Sequence, residues 1–142
     1  MVRSFCEDHA GNLWIATKGG GVAMLGNSKD SDFKITTEYN TNNGLLNNDA
    51  YVIKEGFDGD LFIGTDGQGL NILVNGHLST LNLKNIYSES SGQKIFSGTY
   101  AIHCSEKDST LWLGTSEYGL IRIKIQKQQD KTYKAISYKQ YI

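Results

Sequence analysis

Proline is absent from the 142-residue chain, where average usage of about 5% would supply roughly seven. Tight turns therefore fall to glycine (16) and asparagine (11), which tolerate positive φ and together fill 27 of the 142 positions. Cysteine is scarce: Cys6 and Cys104 are too few for a disulfide scaffold and lack the C-x-x-C spacing of a zinc or redox site. Long apolar runs are missing as well. Val22-Ala23-Met24-Leu25 is typical of the longest, against the ~18 residues that a membrane span needs, so no transmembrane helix is expected. Glu7 and Asp8 stand where a secretory signal would carry its apolar stretch. Charge of one sign is lacking too: the net charge is -1, which excludes the basic balance of a nucleic-acid-binding domain. With 39% hydrophobic residues, the chain also lies outside the composition of disordered segments.

What is present is a repeat. Gly11-Asn12-Leu13-Trp14-Ile15-Ala16-Thr17 returns as Gly59-Asp60-Leu61-Phe62-Ile63-Gly64-Thr65 and again as Ser109-Thr110-Leu111-Trp112-Leu113-Gly114-Thr115. The spacing is 48 residues from Trp14 to Phe62 and 50 from Phe62 to Trp112. Each copy is followed by a glycine and an aliphatic residue: Gly21-Val22, Gly69-Leu70 and Gly119-Leu120. Each is preceded by a short extended segment with an acid near its end: Val2 to Glu7, Ala50 to Glu55, and Tyr100 to Glu106.

The second copy is the most legible. Strands are expected at Tyr51 to Glu55, Leu61 to Thr65, Gly69 to Val74 and His77 to Leu83. Asp58-Gly59 and Asn75-Gly76 read as type I′ hairpin turns, with Asp66 to Gln68 as the turn between them. The unit is a four-stranded antiparallel meander. Leu13-Trp14-Ile15-Ala16 is apolar at successive positions rather than alternating, so both faces of its sheet must be covered, as stacked neighbouring sheets would do. Four strands in such a period describe a β-propeller blade, and solenoid repeats of ~20–35 residues do not fit. β-branched and aromatic residues crowded between Gly and Asn turns exclude a helical reading.

The expected fold is thus all-β: three blades, about 1–40, 50–84 and 99–142, of an incomplete propeller. Trp14, Phe62 and Trp112 are expected to fill the wedges between blades. With Leu13, Leu61 and Leu111 they form the core of the repeat, and Thr17, Thr65 and Thr115 are expected to bond backbone at the second turn.

The stretch Glu7-Asp8-His9-Ala10-Gly11-Asn12-Leu13-Trp14-Ile15-Ala16-Thr17-Lys18-Gly19-Gly20-Gly21 resembles the repeat of two-component regulator propellers. The connector Asn43-Gly44-Leu45-Leu46-Asn47-Asn48-Asp49 resembles the segment that leads from one blade to the next in that family. The resemblance spans all three units and is weakest in the third, where Ser109, Thr110, Glu117 and Tyr118 replace turn glycines and asparagine. It implies the extracytoplasmic, hence periplasmic, ligand sensor of a hybrid histidine kinase. Such a sensor responds to oligosaccharides and feeds a phosphorelay through a kinase domain elsewhere in the parent chain. The segment itself carries no phosphoacceptor helix or nucleotide loop. No enzyme activity, cofactor or membrane contact is expected of it.

Other classes are weaker. Asp58-Gly59-Asp60-Leu61-Phe62 is similar to the Asp box of sialidase-like glycosidases, but such a site needs an arginine clamp and the chain has only Arg3 and Arg122. Nothing singles out a catalytic carboxylate pair. A protein-interaction propeller is supported by the fold alone.

In such a meander, the turns between second and third strands share one end with the connections between blades. Lys18, Asn48, Asp66, Gln68, Tyr100, Glu117 and Tyr118 belong to that end, and amides, carboxylates and aromatic faces suit a sugar. The stretch from Asn85 to Gly98 is a long connector that could act as a lid there. Cys6 and Cys104 read as buried free thiols, separated by a whole blade. His9, His77 and His103 are too dispersed for a joint metal site. From Arg122 onward six basic residues face one acid, a +5 tail read as outer-strand lysines that discourage edge pairing. Propellers close with about four to eight blades. Three leave two open faces, each expected to be apolar, and self-association to complete the ring is the expected consequence.

Overall fold

The computed structural model describes residues 1–26, 34–83, 86 and 97–141. The first sheet comprises β1 (Val2–Glu7), β2 (Leu13–Thr17), β3 (Gly21–Gly26) and β4 (Lys34–Tyr39). The second comprises β5 (Ala50–Glu55), β6 (Leu61–Thr65), β7 (Asn71–Val74) and β8 (His77–Thr80). The third comprises β9 (Thr99–Ser105), β10 (Thr110–Thr115), β11 (Leu120–Lys127) and β12 (Tyr133–Tyr141). Each is a meander in chain order, antiparallel throughout. The first strands β1, β5 and β9 pack side by side. Three meanders with their first strands converging are blades of an incomplete β-propeller.

The turn chemistry explains the meander. Asp58 (φ 57) and Gly59 (φ 75) form the left-handed pair of a type I′ turn closed by Asp60 N–H to the Phe57 carbonyl, and Asn75 (φ 48) with Gly76 (φ 80) repeats it. In the first blade an aspartate does this work. One Asp8 carboxylate oxygen accepts the Ala10 and Asn12 N–H groups at 3.0 and 2.9 Å, and the other accepts Asn12 Nδ2 and the Trp14 indole N–H at 3.2 and 2.9 Å. Thr17 and Thr115 donate their hydroxyls to the carbonyls of Gly21 and Gly119 at 3.0 and 2.8 Å, closing the second turn. Thr65 instead accepts the Gly67 N–H at 3.0 Å. Gly21 cannot be replaced: its φ is +74 and a Cβ would sit 2.2 Å from the Tyr39 carbonyl oxygen.

The connector is held by Asn71, whose side chain is fully buried. It accepts the Leu46 N–H at 2.9 Å and donates to the Gly44 and Ser79 carbonyls. The fourth strand of the second blade is shorter than the pattern predicts because the chain leaves it at Leu81. Asn82 then bridges in parallel to β12, with Asn82 N–H to the Tyr133 carbonyl at 2.9 Å and Ala135 N–H to the Asn82 carbonyl at 2.8 Å. The third strand likewise starts at Asn71 rather than Gly69, whose φ is 128.

Two apolar clusters form the core, one at each boundary between blades. Trp14, Ala16 and Val22 meet Ile53, Leu61 and Ile63 at the first. Phe62, Leu70 and Ile72 meet Ile102, Leu111 and Leu113 at the second. Alternate residues of β6 therefore face opposite neighbours, and all five are buried. Trp112 departs from its expected role. It is only partly buried, because among the described residues no blade lies against its face of the third sheet.

Of the two open faces, one differs from expectation. That of the first blade is apolar, with Phe5 65% and Ile35 58% exposed. That of the third is cationic: Arg122 lies over the Trp112 ring at 5.6 Å and Lys139 over the Tyr141 ring at 5.1 Å. These cations decorate a sheet face, not only an outer edge, and Arg122 and Lys124 stand on β11, the third strand. The alternation of β11, exposed and buried by turns, is the signature of a sheet covered on one side.

Candidate functional site

The inner edge carries a feature that recurs in every blade. Pairing of the first strand with the second shifts register once, between Val2 and Ser4, between Ala50 and Val52, and opposite Gly114 and Thr115. The residue bulged out is Arg3 in β1, Tyr51 in β5 and Tyr100 in β9. Bulges re-aim side chains, and these three meet. The Arg3 guanidinium carbon lies 4.1 Å from the Tyr51 ring centre, and the Tyr51 and Tyr100 rings are 4.1 Å apart, tilted by 56°. The result is a continuous ladder of one cation and two aromatic rings across three blades.

Polar groups surround it. The neighbouring Tyr51 hydroxyl, and then burial, raise the Tyr100 phenol above its ordinary value of 10.0; the Asp66 carboxylate adds to the effect and the Ser116 hydroxyl opposes it. Two buried side-chain polar atoms among the described residues have no hydrogen-bond partner: Arg3 Nη1 and Thr99 Oγ1. Both lie at this inner edge, on the ladder's cation and on the neighbour of Tyr100.

The residues expected from the sequence divide around this ladder. Tyr100 is part of it, in β9 rather than in a connection, and Asp66 faces it electrostatically. Lys18, Gln68 and Glu117 are exposed in turns at the same end. Asn48 is committed to the fold: its side chain accepts the Thr41 N–H at 2.9 Å and its carbonyl accepts the Gly21 N–H at 2.8 Å. Tyr118 packs its ring against the second core cluster, and its carbonyl accepts the Gln140 amide. Most of the connector from Asn85 to Gly98, and with it the expected lid, lies outside the described residues. Arg3 and Tyr51 are not among the residues that the sequence reading singles out for the ligand end. The signal was available, since Arg3 and Tyr51 each stand 11 residues before the repeat aromatic, and Tyr100 stands 12 before it.

A concavity of about 410 Å³ opens at the opposite end, where the β5–β6 and β9–β10 turns meet. Its wall is already engaged. Asp60, buried, accepts the Lys127 ammonium at 2.7 Å and the Tyr133 hydroxyl at 2.6 Å. Burial and the Asp60 carboxylate push the Tyr133 phenol far up. For Lys127, burial alone would lower the ammonium, but its bonds to Asp60 and Asp58 outweigh that and raise it. Lys127 therefore ties two blades together and is no edge lysine.

Cys6 and Cys104 are free and partly rather than fully buried. Burial raises both thiols, Cys104 to about 11, which leaves them unreactive at neutral pH. Among the described residues no three His, Cys, Asp or Glu side chains gather as a metal site. Nor is any helix there long and apolar enough to cross a membrane.

Fold and inner edge together define a run of β-propeller blades presenting a polar, aromatic surface where the first strands converge. Residues 1–19 match the family model of the two component regulator propeller. The whole fold is similar to the extracellular domain of the putative hybrid two component system BT3049 from B. thetaiotaomicron, with a TM-score of 0.68 and 25% identity over 99% of this chain. It is also similar to the extracellular domain of the putative hybrid two component system BT4673 from B. thetaiotaomicron, with a TM-score of 0.63 and 23% identity over 96% of this chain. A further structure of a BT4673 extracellular domain from that organism, described as a putative one component system, gives a TM-score of 0.64 and 23% identity over 87% of this chain. The chain spans only 17%, 18% and 17% of these three structures' own length. No curated protein matches it.

Proposed function

We propose that this segment belongs to the periplasmic sensing propeller of a hybrid two-component sensor kinase, where it binds an oligosaccharide and passes the signal to a kinase domain in the parent chain and so to a phosphorelay. The observation that carries this reading is the likeness of nearly the whole chain to the extracellular domain of a hybrid two component system. The inner-edge ladder supports a sugar as the ligand: aromatic faces meet the C–H side of a pyranose, while Asp66 and Ser116 supply acceptors and donors for hydroxyls. The segment binds and does not catalyse. Calorimetry of the protein against plant and host-glycan oligosaccharides tests this. Saturable binding weakened by alanine at Asp66, Gln68 or Tyr100 is expected, and product formation from any of these sugars would overturn it.

The unlike open faces support association. An apolar face edged by Glu7 and Glu38 complements a face bearing Arg122, Lys124 and Lys139, so copies would meet head to tail. Light scattering should show a dimer that weakens with salt; a salt-independent monomer at high concentration would refute it.

A further inference from the structure

Arg3 has more binding capacity than the fold uses. A guanidinium carries five N–H donors in a planar fork suited to a carboxylate or sulfate. Arg3 makes no ion pair among the described residues, and its Nη1 is buried without a partner. Its guanidinium lies on the Tyr51 face, which fixes its plane and leaves its edge for an acceptor. Thr99 Oγ1, fully buried and unpartnered, adds a second unmet polar atom beside Tyr100.

We propose that the ladder of Arg3, Tyr51 and Tyr100 is a subsite for an acidic sugar, with the tyrosine rings against the pyranose and the Arg3 fork on its carboxylate or sulfate. This rests on the oligosaccharide reading above and names the ligand's class. The three bulges are what assemble it, because each turns one side chain of a different blade to the common inner edge. Regular pairing in any one blade would place that residue elsewhere and break the ladder.

The test is calorimetry of the whole chain with trigalacturonate, a sulfated carrageenan tetrasaccharide and neutral xylotetraose. At least one acidic probe should bind ten-fold or more tighter than xylotetraose, more weakly as salt rises, and whichever binds identifies carboxylate or sulfate. Arg3→Gln should remove that preference, weakening the acidic probe far more than xylotetraose, and Tyr51→Ala should weaken all binding. Circular dichroism checks the fold of each variant, and if Arg3→Gln unfolds, Arg3→Lys should still cut the acidic preference several-fold. Equal binding of neutral and acidic probes, unmoved by Arg3→Gln, would overturn the acidic subsite and leave the oligosaccharide reading standing. Failure of any saccharide to bind would overturn both.

Discussion

The middle blade and the last one carry copies of one seven-residue repeat, yet of these two only the middle one is buried on both faces among the described residues. Phe62 and Trp112 occupy equivalent places, each paired to the strand that follows: Phe62 opposite Ile72, and Trp112 opposite Arg122. Phe62 is 0% exposed and touches Phe57 and Tyr133 edge-on at 5.6 and 5.5 Å, whereas the Trp112 ring meets Tyr141 of its own sheet at 5.7 Å, tilted by 34°. Two residues further along, on the same face, Val74 is replaced by Lys124. A repeat motif thus fixes a residue's place in the blade. Whether that place is core depends on what lies against the blade.

The largest expected effect follows directly. Phe62→Ala should destabilise the chain by about 3–5 kcal/mol in urea unfolding, the range for large aromatic deletions in a packed core. Trp112→Ala should cost less than about 1 kcal/mol, because partly exposed positions away from a packed interior are mild. Equal costs would erase the distinction between a covered and an open blade face.

The two blade boundaries differ in polar bonding as well. At the second, Asp60 is buried and bound to Lys127 and Tyr133. At the first, Glu55 accepts the His9 N–H and ring at 2.8 and 3.2 Å, but the His9 side chain is 72% exposed. Asp60→Ala should therefore destabilise by about 2–3 kcal/mol, somewhat below the range for a fully buried pair, since Lys127 keeps 24% of its surface in water. Glu55→Ala should cost under about 1 kcal/mol, as exposed pairs do. If the two substitutions cost the same in urea unfolding, the boundaries are equivalent after all.

Much of this architecture is legible in the sequence. The period, the I′ turns at Asp58-Gly59 and Asn75-Gly76 and the apolar second strands are local properties, and they give blades and strand order directly. What depends on neighbours is not written locally. Trp112 carries the same signal as Trp14, and Lys127 looks like any lysine until Asp60, in another blade, is seen to meet it. The end of the sheets where the second turns and the blade connections gather is legible from topology, and the place of Tyr100 near it. Arg3 and Tyr51 escape sequence reasoning because bulges bring them to the inner edge, and one extra residue creates a bulge without any distinctive composition.

The smallest effect separates the first blade from the second. Asp8 closes the first hairpin through its carboxylate, while the equivalent place 48 residues on is Gly56, where a Cβ would lie 2.4 Å from the Cys104 sulfur. Partial burial would raise the Asp8 carboxyl, but hydrogen bonds from Trp14, Asn12 and Ala10 outweigh it and hold the group below its ordinary value of 3.8. A carboxyl depressed in the folded state stabilises the protein above its unfolded value and loses that contribution as the pH falls through its folded one. Acid should therefore loosen the first hairpin, and the second, closed by Asp58-Gly59 backbone geometry, should not respond at the same pH. The indole N–H resonance of Trp14 reports this directly. It should shift below pH 4, and in Asp8→Asn it should not titrate; a Trp14 signal flat through acid in the wild-type chain would show that the carboxylate is not what closes the turn.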